Sequence, residues 1–168
     1  MEYYRIIQKS RGNYITPQYM TMSEIWSDTR PILVLGHMHG KGSDVVFLPF
    51  YARNVFFISD SVKKIWKDYQ KGGRYRACAF GSVEYKQARP YCFMMPVIVD
   101  CIHENTRYKN NGEIEVLYLD REQVGMNKVF GVKAERKIHL ILSEDVLEEM
   151  IRNSITEFDW EEVQIIGR

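Results

Sequence analysis

The sequence predicts an α+β fold: a single domain over residues 1–168, with a mostly antiparallel or mixed β-sheet and two main amphipathic helices at about 60–71 and 144–153. Three observations predict it. Short β-type runs outnumber helical ones and follow each other without intervening helices, which argues against a chain of βαβ units. Only two segments carry apolar residues at the three-and-four spacing of a helix face. Aromatic residues make up 13% of the chain, eleven of them Tyr, and such residues suit strands and their packing.

Taken in order, Tyr3-Tyr4-Arg5-Ile6-Ile7 reads as a short strand, ended by the turn-forming cluster Ser10-Arg11-Gly12-Asn13. Residues 17–28 read either as a short helix or as a loop. Three compact apolar runs follow, Pro31–Leu35, Val45–Leu48 and Val55–Ile58, punctuated by Gly36, Gly40, Gly42 and Pro49. Ser59 then offers an N-cap and Asp60 an acid in the first turn. Val62, Ile65, Trp66 and Tyr69 fall on one helix face, lysines 63, 64, 67 and 71 occupy the rest, and Gly72-Gly73 stops the helix.

From Arg74 to Lys86 the chain alternates. Tyr75, Ala77, Ala79, Val83 and Tyr85 share the apolar parity, and Gly81 suggests a bulge. Tyr91 to Val99 is apolar throughout, with Pro96 marking a break because proline donates nothing to a ladder. Glu113–Leu119 is a further strand after the Asn110-Asn111-Gly112 turn, and Val163–Ile166 closes the sheet. The second helix repeats the device of the first. Strand Ile138–Leu142 leads into Ser143 as cap, Glu144-Asp145 as acidic first turn, and the stripe Val146, Leu147, Met150, Ile151.

The formal charge of +1 hides a split: residues 1–110 hold 16 bases and 9 acids, residues 111–168 hold 7 bases and 13 acids. Composition excludes collagen-like and disordered chains. The longest apolar run is too short for a membrane helix, and the start Met1-Glu2-Tyr3-Tyr4-Arg5 lacks the pattern of a signal peptide. Cys78, Cys92 and Cys101 form neither a C-x-x-C nor an even disulfide set, so reduced thiols and a cytoplasmic location are expected.

Gly36-His37-Met38-His39-Gly40-Lys41-Gly42-Ser43-Asp44 contains an H-x-H that, on a strand, puts both imidazoles on one face. His37 and His39 are therefore the metal candidates, with Asp44 or Cys101 and His103 as further ligands. A Gly-rich turn at a strand end with two polar histidines accounts for the same residues. The same stretch fails the phosphate-loop pattern, because Gly36 to Gly40 is one residue short and Gly42 stands where a hydroxyl is needed. Ser59 and Ser143 lack the flanking glycines of a nucleophile elbow, and capping explains them. Cysteine–histidine pairs arise by chance in a chain with three Cys and four His. Glu148/Glu149 and Glu161/Glu162 read as solvated acids. No catalytic motif and no cofactor are expected.

Two charged stretches bear on partners. Lys63 to Arg89 carries eight bases against two acids, with Trp66, Tyr69, Tyr75, Phe80 and Tyr85 interleaved, which suits nucleic acid if the rings are exposed. Trp66 and Tyr69 fall on the apolar helix stripe and Tyr75 and Tyr85 on the apolar strand parity, which places these four in the core instead and leaves a basic face. Ser143 to Glu162 carries eight acids and one base, Arg152, and suits a rim that steers a basic protein.

Several of these motifs, in this order, resemble a family of bacterial immunity proteins encoded beside polymorphic, contact-delivered toxins. Phe57-Ile58-Ser59-Asp60-Ser61-Val62-Lys63 is similar to its strand followed by I-S-E-x-V. Tyr91–Val99 and the polar turn Asp100–Tyr108 resemble its middle strand, with His103 and Thr106 replacing an Asp and a Ser. Val129-Phe130 and Ile141–Met150 resemble its closing strand and V-S-E-x-L helix. Thr156–Val163 resembles its T-G-x-x-F-x-x-V tail, with Glu157 in place of Gly. The likeness spans about residues 45–166. It implies a non-enzymatic protein that binds and neutralises a cognate toxin, and it carries over no catalytic residue. Glu148, Glu149, Glu157, Asp159, Glu161 and Glu162 are the expected partner-binding residues; no membrane is implied.

Overall fold

Alternating and uniformly apolar runs govern this chain, and strand accounts for 46% of it against 18% helix. A computed structural model describes residues 1–27, 30–38 and 45–167, together with the backbone of His39. Thirteen strands and four helices are described. In chain order they are β1 (Tyr3–Gln8), β2 (Tyr14–Pro17), α1 (Met22–Trp26), β3 (Ile32–His39), β4 (Phe50–Tyr51), β5 (Phe56–Ser59), α2 (Asp60–Tyr69), β6 (Arg74–Ser82) and β7 (Gln87–Met95). Then follow β8 (Arg107–Tyr108), β9 (Ile114–Val116), β10 (Tyr118–Asp120), α3 (Arg121–Val124), β11 (Val129–Ala134), β12 (Lys137–Ser143), α4 (Glu144–Arg152) and β13 (Phe158–Ile166).

Contacts divide the chain into two interleaved units. The first comprises Met1–Ile7, Ile65–Gly73 and Pro96–Arg168; the second comprises Gln8–Lys64 and Arg74–Met95. In the first, five strands pair in the order β10-β13-β1-β12-β11, and β8 pairs with β9. There β1 with β12, β11 with β12 and β8 with β9 are antiparallel, and β10 with β13 is parallel. In the second, six strands pair in the order β2-β3-β6-β7-β5-β4, with β3 parallel to β6. The sheets are therefore mixed.

Each unit has its own core. The second is built on aromatic rings: Phe57 stacks on Tyr91 at 4.9 Å, and Phe80 meets Phe47, Tyr51, Phe57 and Tyr91, each within 5.7 Å between centroids. The first is built on Tyr3, Leu119, Phe130, Val132, Ile141 and Val163, all buried. Val62 and Trp66 of α2 are fully buried, as their spacing requires, and the Trp66 indole donates to Met150 Sδ at 3.1 Å.

The structure corrects several sequence expectations. Val45–Leu48 is not a strand. Its backbone is satisfied piecemeal: Ile15 N–H donates to Val46 O at 2.8 Å, the Tyr91 hydroxyl to Leu48 O at 2.6 Å, and Leu48 N–H to the Tyr51 hydroxyl at 3.0 Å. Buried polar groups need partners but not a ladder. The alternating run from Arg74 ends at Ser82, because residues 83–86 form the turn of the β6–β7 hairpin.

Its parity is also reversed. Phe80 is the buried member, whereas Ala77 and Ala79 face solvent and Val83 is 77% exposed. Gly81 marks no bulge, since the register from Arg74↔Met95 to Ser82↔Gln87 runs without a shift. A Cβ there would lie 2.6 Å from Gln87 O, so close approach explains the glycine. The strand expected over Glu113–Leu119 is two strands, β9 and β10, because the chain changes partner at buried Leu117. The ambiguous stretch 17–28 contains α1, opened by a capping box in which Thr21 and Glu24 exchange hydrogen bonds.

Ser143 occupies the N-cap position of α4, but its side chain caps nothing. Fully buried, it donates to Asp145 instead. Burial works against ionisation of Asp145, but hydrogen bonds from Lys128 and Ser143 outweigh it and hold the carboxyl below its usual range. Ser59 does behave as a cap, accepting from Val62 N–H at 3.4 Å.

A half-buried histidine in the first unit sets an acid limit. His139 Nε2 lies 3.2 Å from Glu135 Oε2 yet makes no hydrogen bond. Burial and the charge of Arg5 lower its pKa, with Lys137 acting the same way and Glu135 opposing them. The unfolded chain takes up this proton first as pH falls, so the contribution is complete above the ordinary histidine pKa and is lost through the folded one. Chemical denaturation at pH 7.5 and 5.5 should show lower stability at 5.5, and His139→Gln should shrink that difference. Equal pH dependence in both proteins would exclude His139 as the source.

Candidate functional site

The six acids singled out from the sequence lie on α4, on β13 and in the connection between them. Side chains alternate along a strand, so β13 places Asp159 and Glu161 on one side and Trp160 and Glu162 on the other. Glu161 accepts from Arg5 of β1, and Glu149 from the Tyr69 hydroxyl. Glu148, Glu157, Asp159 and Glu162 are exposed.

The structure adds neighbours that composition does not mark. Tyr4 projects from β1, and its hydroxyl donates to Glu2 at 2.7 Å. That hydrogen bond, burial, and the charges of Glu2, Glu144 and Glu162 push the phenol up to about 12. Three carboxylates therefore surround one tyrosine. Glu144 N–H in turn donates to Glu2 O at 2.9 Å, tying the start of α4 to β1. Glu148 follows Glu144 by four residues, on the same helix face. Trp160 shares the strand parity of Glu162, is 43% exposed, and rests against Phe158 with centroids 5.6 Å apart.

The candidate site is thus Tyr4 with the carboxylates of Glu2, Glu144 and Glu162, together with Glu148 one turn along α4 and Trp160 on the Glu162 side of β13 as an exposed ring. Sequence reasoning found Glu148 and Glu162 and missed Glu2, Tyr4, Glu144 and Trp160. The missed signal is long-range: β1 lies between β13 and β12 in its sheet, which brings the start of the chain beside its end. Beside the patch, Lys128 pairs with Asp145 and its ammonium stands 5.4 Å from the Tyr69 ring centroid. That pair removes one acid and one base from the local field.

The other candidates fare differently. His37 is exposed on β3, while the side chain of His39 and all of Asp44 lie outside the described residues. Among the described residues no three His, Cys, Asp or Glu side chains group to hold a metal. Burial pushes the thiols of Cys78, Cys92 and Cys101 up to about 12, so all three are protonated at neutral pH. In the basic segment, Trp66 and Phe80 are fully buried and unavailable for base stacking. Arg74 covers the Trp26 ring at 4.2 Å and Arg89 the Phe47 ring at 4.5 Å. Among the described residues, no helix is long and apolar enough to cross a membrane. Neither protein-family models nor curated proteins give a match to this chain.

Proposed function

We propose that this is a non-enzymatic immunity-type protein of the bacterial cytoplasm that binds a cognate toxin and neutralises it by occlusion. The observation that carries the reading is Trp160, a large ring 43% exposed beside a cluster of carboxylates. An exposed tryptophan suits the anchor of a protein interface, and an acidic surround suits steering of a basic partner. The order of sequence motifs over residues 45–166 supports the same class.

The test uses the cognate toxin that this reading requires. Reversing Glu148 and Glu162 to Lys should slow association about tenfold or more at low salt, with the difference closing as salt is raised. Trp160→Ala should weaken the complex by about 2 kcal/mol, mainly through faster dissociation. Unchanged rates in both variants would move the interface elsewhere. Failure of the unaltered protein to bind or protect would end the immunity reading itself.

A further inference from the structure

The β10–α3–β11 connection builds a pocket that the acidic patch does not use. Asp120 ends β10 and caps α3, its Oδ1 accepting from Glu122 N–H at 2.8 Å and Gln123 N–H at 3.1 Å. Gly125, at φ +57°, then turns the chain back toward β11. The pocket, about 160 Å³ and open to solvent on one side, is lined by Met1, Tyr3, Arg121, Val124, Lys128 and Ile165, with Gly125 and Met126 at the turn. All belong to the first unit.

The lining sorts by what is already engaged. Tyr3 donates its hydroxyl to Asn127 O at 3.2 Å, and Lys128 is paired with Asp145. Arg121 has no ion-pair partner among the described residues. Burial and Asp145 raise the Tyr3 phenol pKa while Arg121 opposes them, which places the guanidinium within electrostatic reach of the ring. Val124 is buried, Ile165 is half-buried, and Met126, 90% exposed, supplies a flexible apolar edge.

We infer that this pocket binds a small monocarboxylate with an apolar body, its carboxylate on Arg121 and its body against Val124, Ile165 and Met126. Size and charge both select that class. A cavity of about 150 Å³ admits benzene, so one ring or a short branched acyl chain fits. A planar guanidinium matches a carboxylate with two parallel hydrogen bonds. Of the two cationic side chains in the lining, Lys128 is paired with Asp145 and Arg121 has no ion-pair partner among the described residues, which suits a carboxylate on Arg121.

Benzoate is the probe, followed by amide chemical shifts of the full chain. Shifts should concentrate at Val124, Gly125 and Ile165, with a dissociation constant on the order of 1 mM for so few heavy atoms. Arg121→Gln, an exposed substitution, should weaken binding about tenfold while leaving distant resonances in place. Benzyl alcohol, which keeps the ring and lacks the charge, should bind as weakly as benzoate does to that variant. No shifts well above that concentration, or shifts scattered away from the pocket, would overturn the site. Equal binding of benzoate and benzyl alcohol, or of both proteins, would overturn the carboxylate assignment.

Discussion

Replacing Phe80 by Ala should cost about 3–5 kcal/mol, a large part of the 5–15 kcal/mol that holds a typical domain together. Phe80 is fully buried on β6 and is the ring that Phe47, Tyr51, Phe57 and Tyr91 share. All four of those contacts are edge-on, between 76° and 88°. Edge-to-face pairs add about 0.5–1.5 kcal/mol beyond the area they bury. Their rings come from four separate stretches of chain and cannot all collapse into the gap, so the cavity term applies with the transfer term. A urea titration followed by tryptophan fluorescence should show the midpoint fall by roughly 2 M. A cost below about 1.5 kcal/mol would mean that the cluster repacks, against the expected rigidity of such cores.

Gly36→Val should be nearly as damaging for the opposite reason. Gly36 lies on β3 opposite Pro17, and a Cβ built there collides with Ile15 Cγ2 and comes within 2.7 Å of Phe80 Cε2. Ile15 and Phe80 are both fully buried, so neither can move aside into solvent. Overpacking of this kind costs about 1–3 kcal/mol, and valine adds three carbons where one already clashes. The midpoint of thermal unfolding should drop by about 10 °C. Because the new side chain and the Phe80 ring compete for one space, Gly36→Val with Phe80→Ala should lose less than the sum of the two. Strict additivity would show that the clash is relieved elsewhere.

What the sequence made legible was local. The helix expected at about 60–71 is found over Asp60–Tyr69, and the one expected at about 144–153 over Glu144–Arg152, because apolar spacing and acidic first turns are short-range signals. The break at Pro96 likewise follows from one missing donor, and β7 ends at Met95. Parity in β6 was not legible: Ala77 and Ala79 count as apolar by composition, but alanine buries too little area to decide which face turns inward, and Phe80 decides it. Val45–Leu48 looked like a strand because burial is what the pattern reports, and burial alone does not require a ladder.

The candidate site was half legible for a related reason. Acidity along residues 143–162 is visible by counting, and the exposed positions of Glu148 and Glu162 follow from it. Trp160 was not singled out, since a ring between charges reads equally as a core residue. Glu2, Tyr4 and Glu144 join the patch only through pairing of strands far apart in the chain, such as Tyr3 with Ser143. A run of like charges says nothing about such neighbours.

The interleaving of the two units also sets an order of events during synthesis. Every residue of the second unit lies between Gln8 and Met95, so all its strands have emerged before β11 is made. Strand β1, ahead of every other strand described, sits in its sheet between β12 and β13, the last two. It must therefore wait, unpaired, on the growing chain while the aromatic core of the second unit is already able to close. A nascent chain stalled near residue 100 should carry that early strand exposed, and it is there that a chaperone would find its hold.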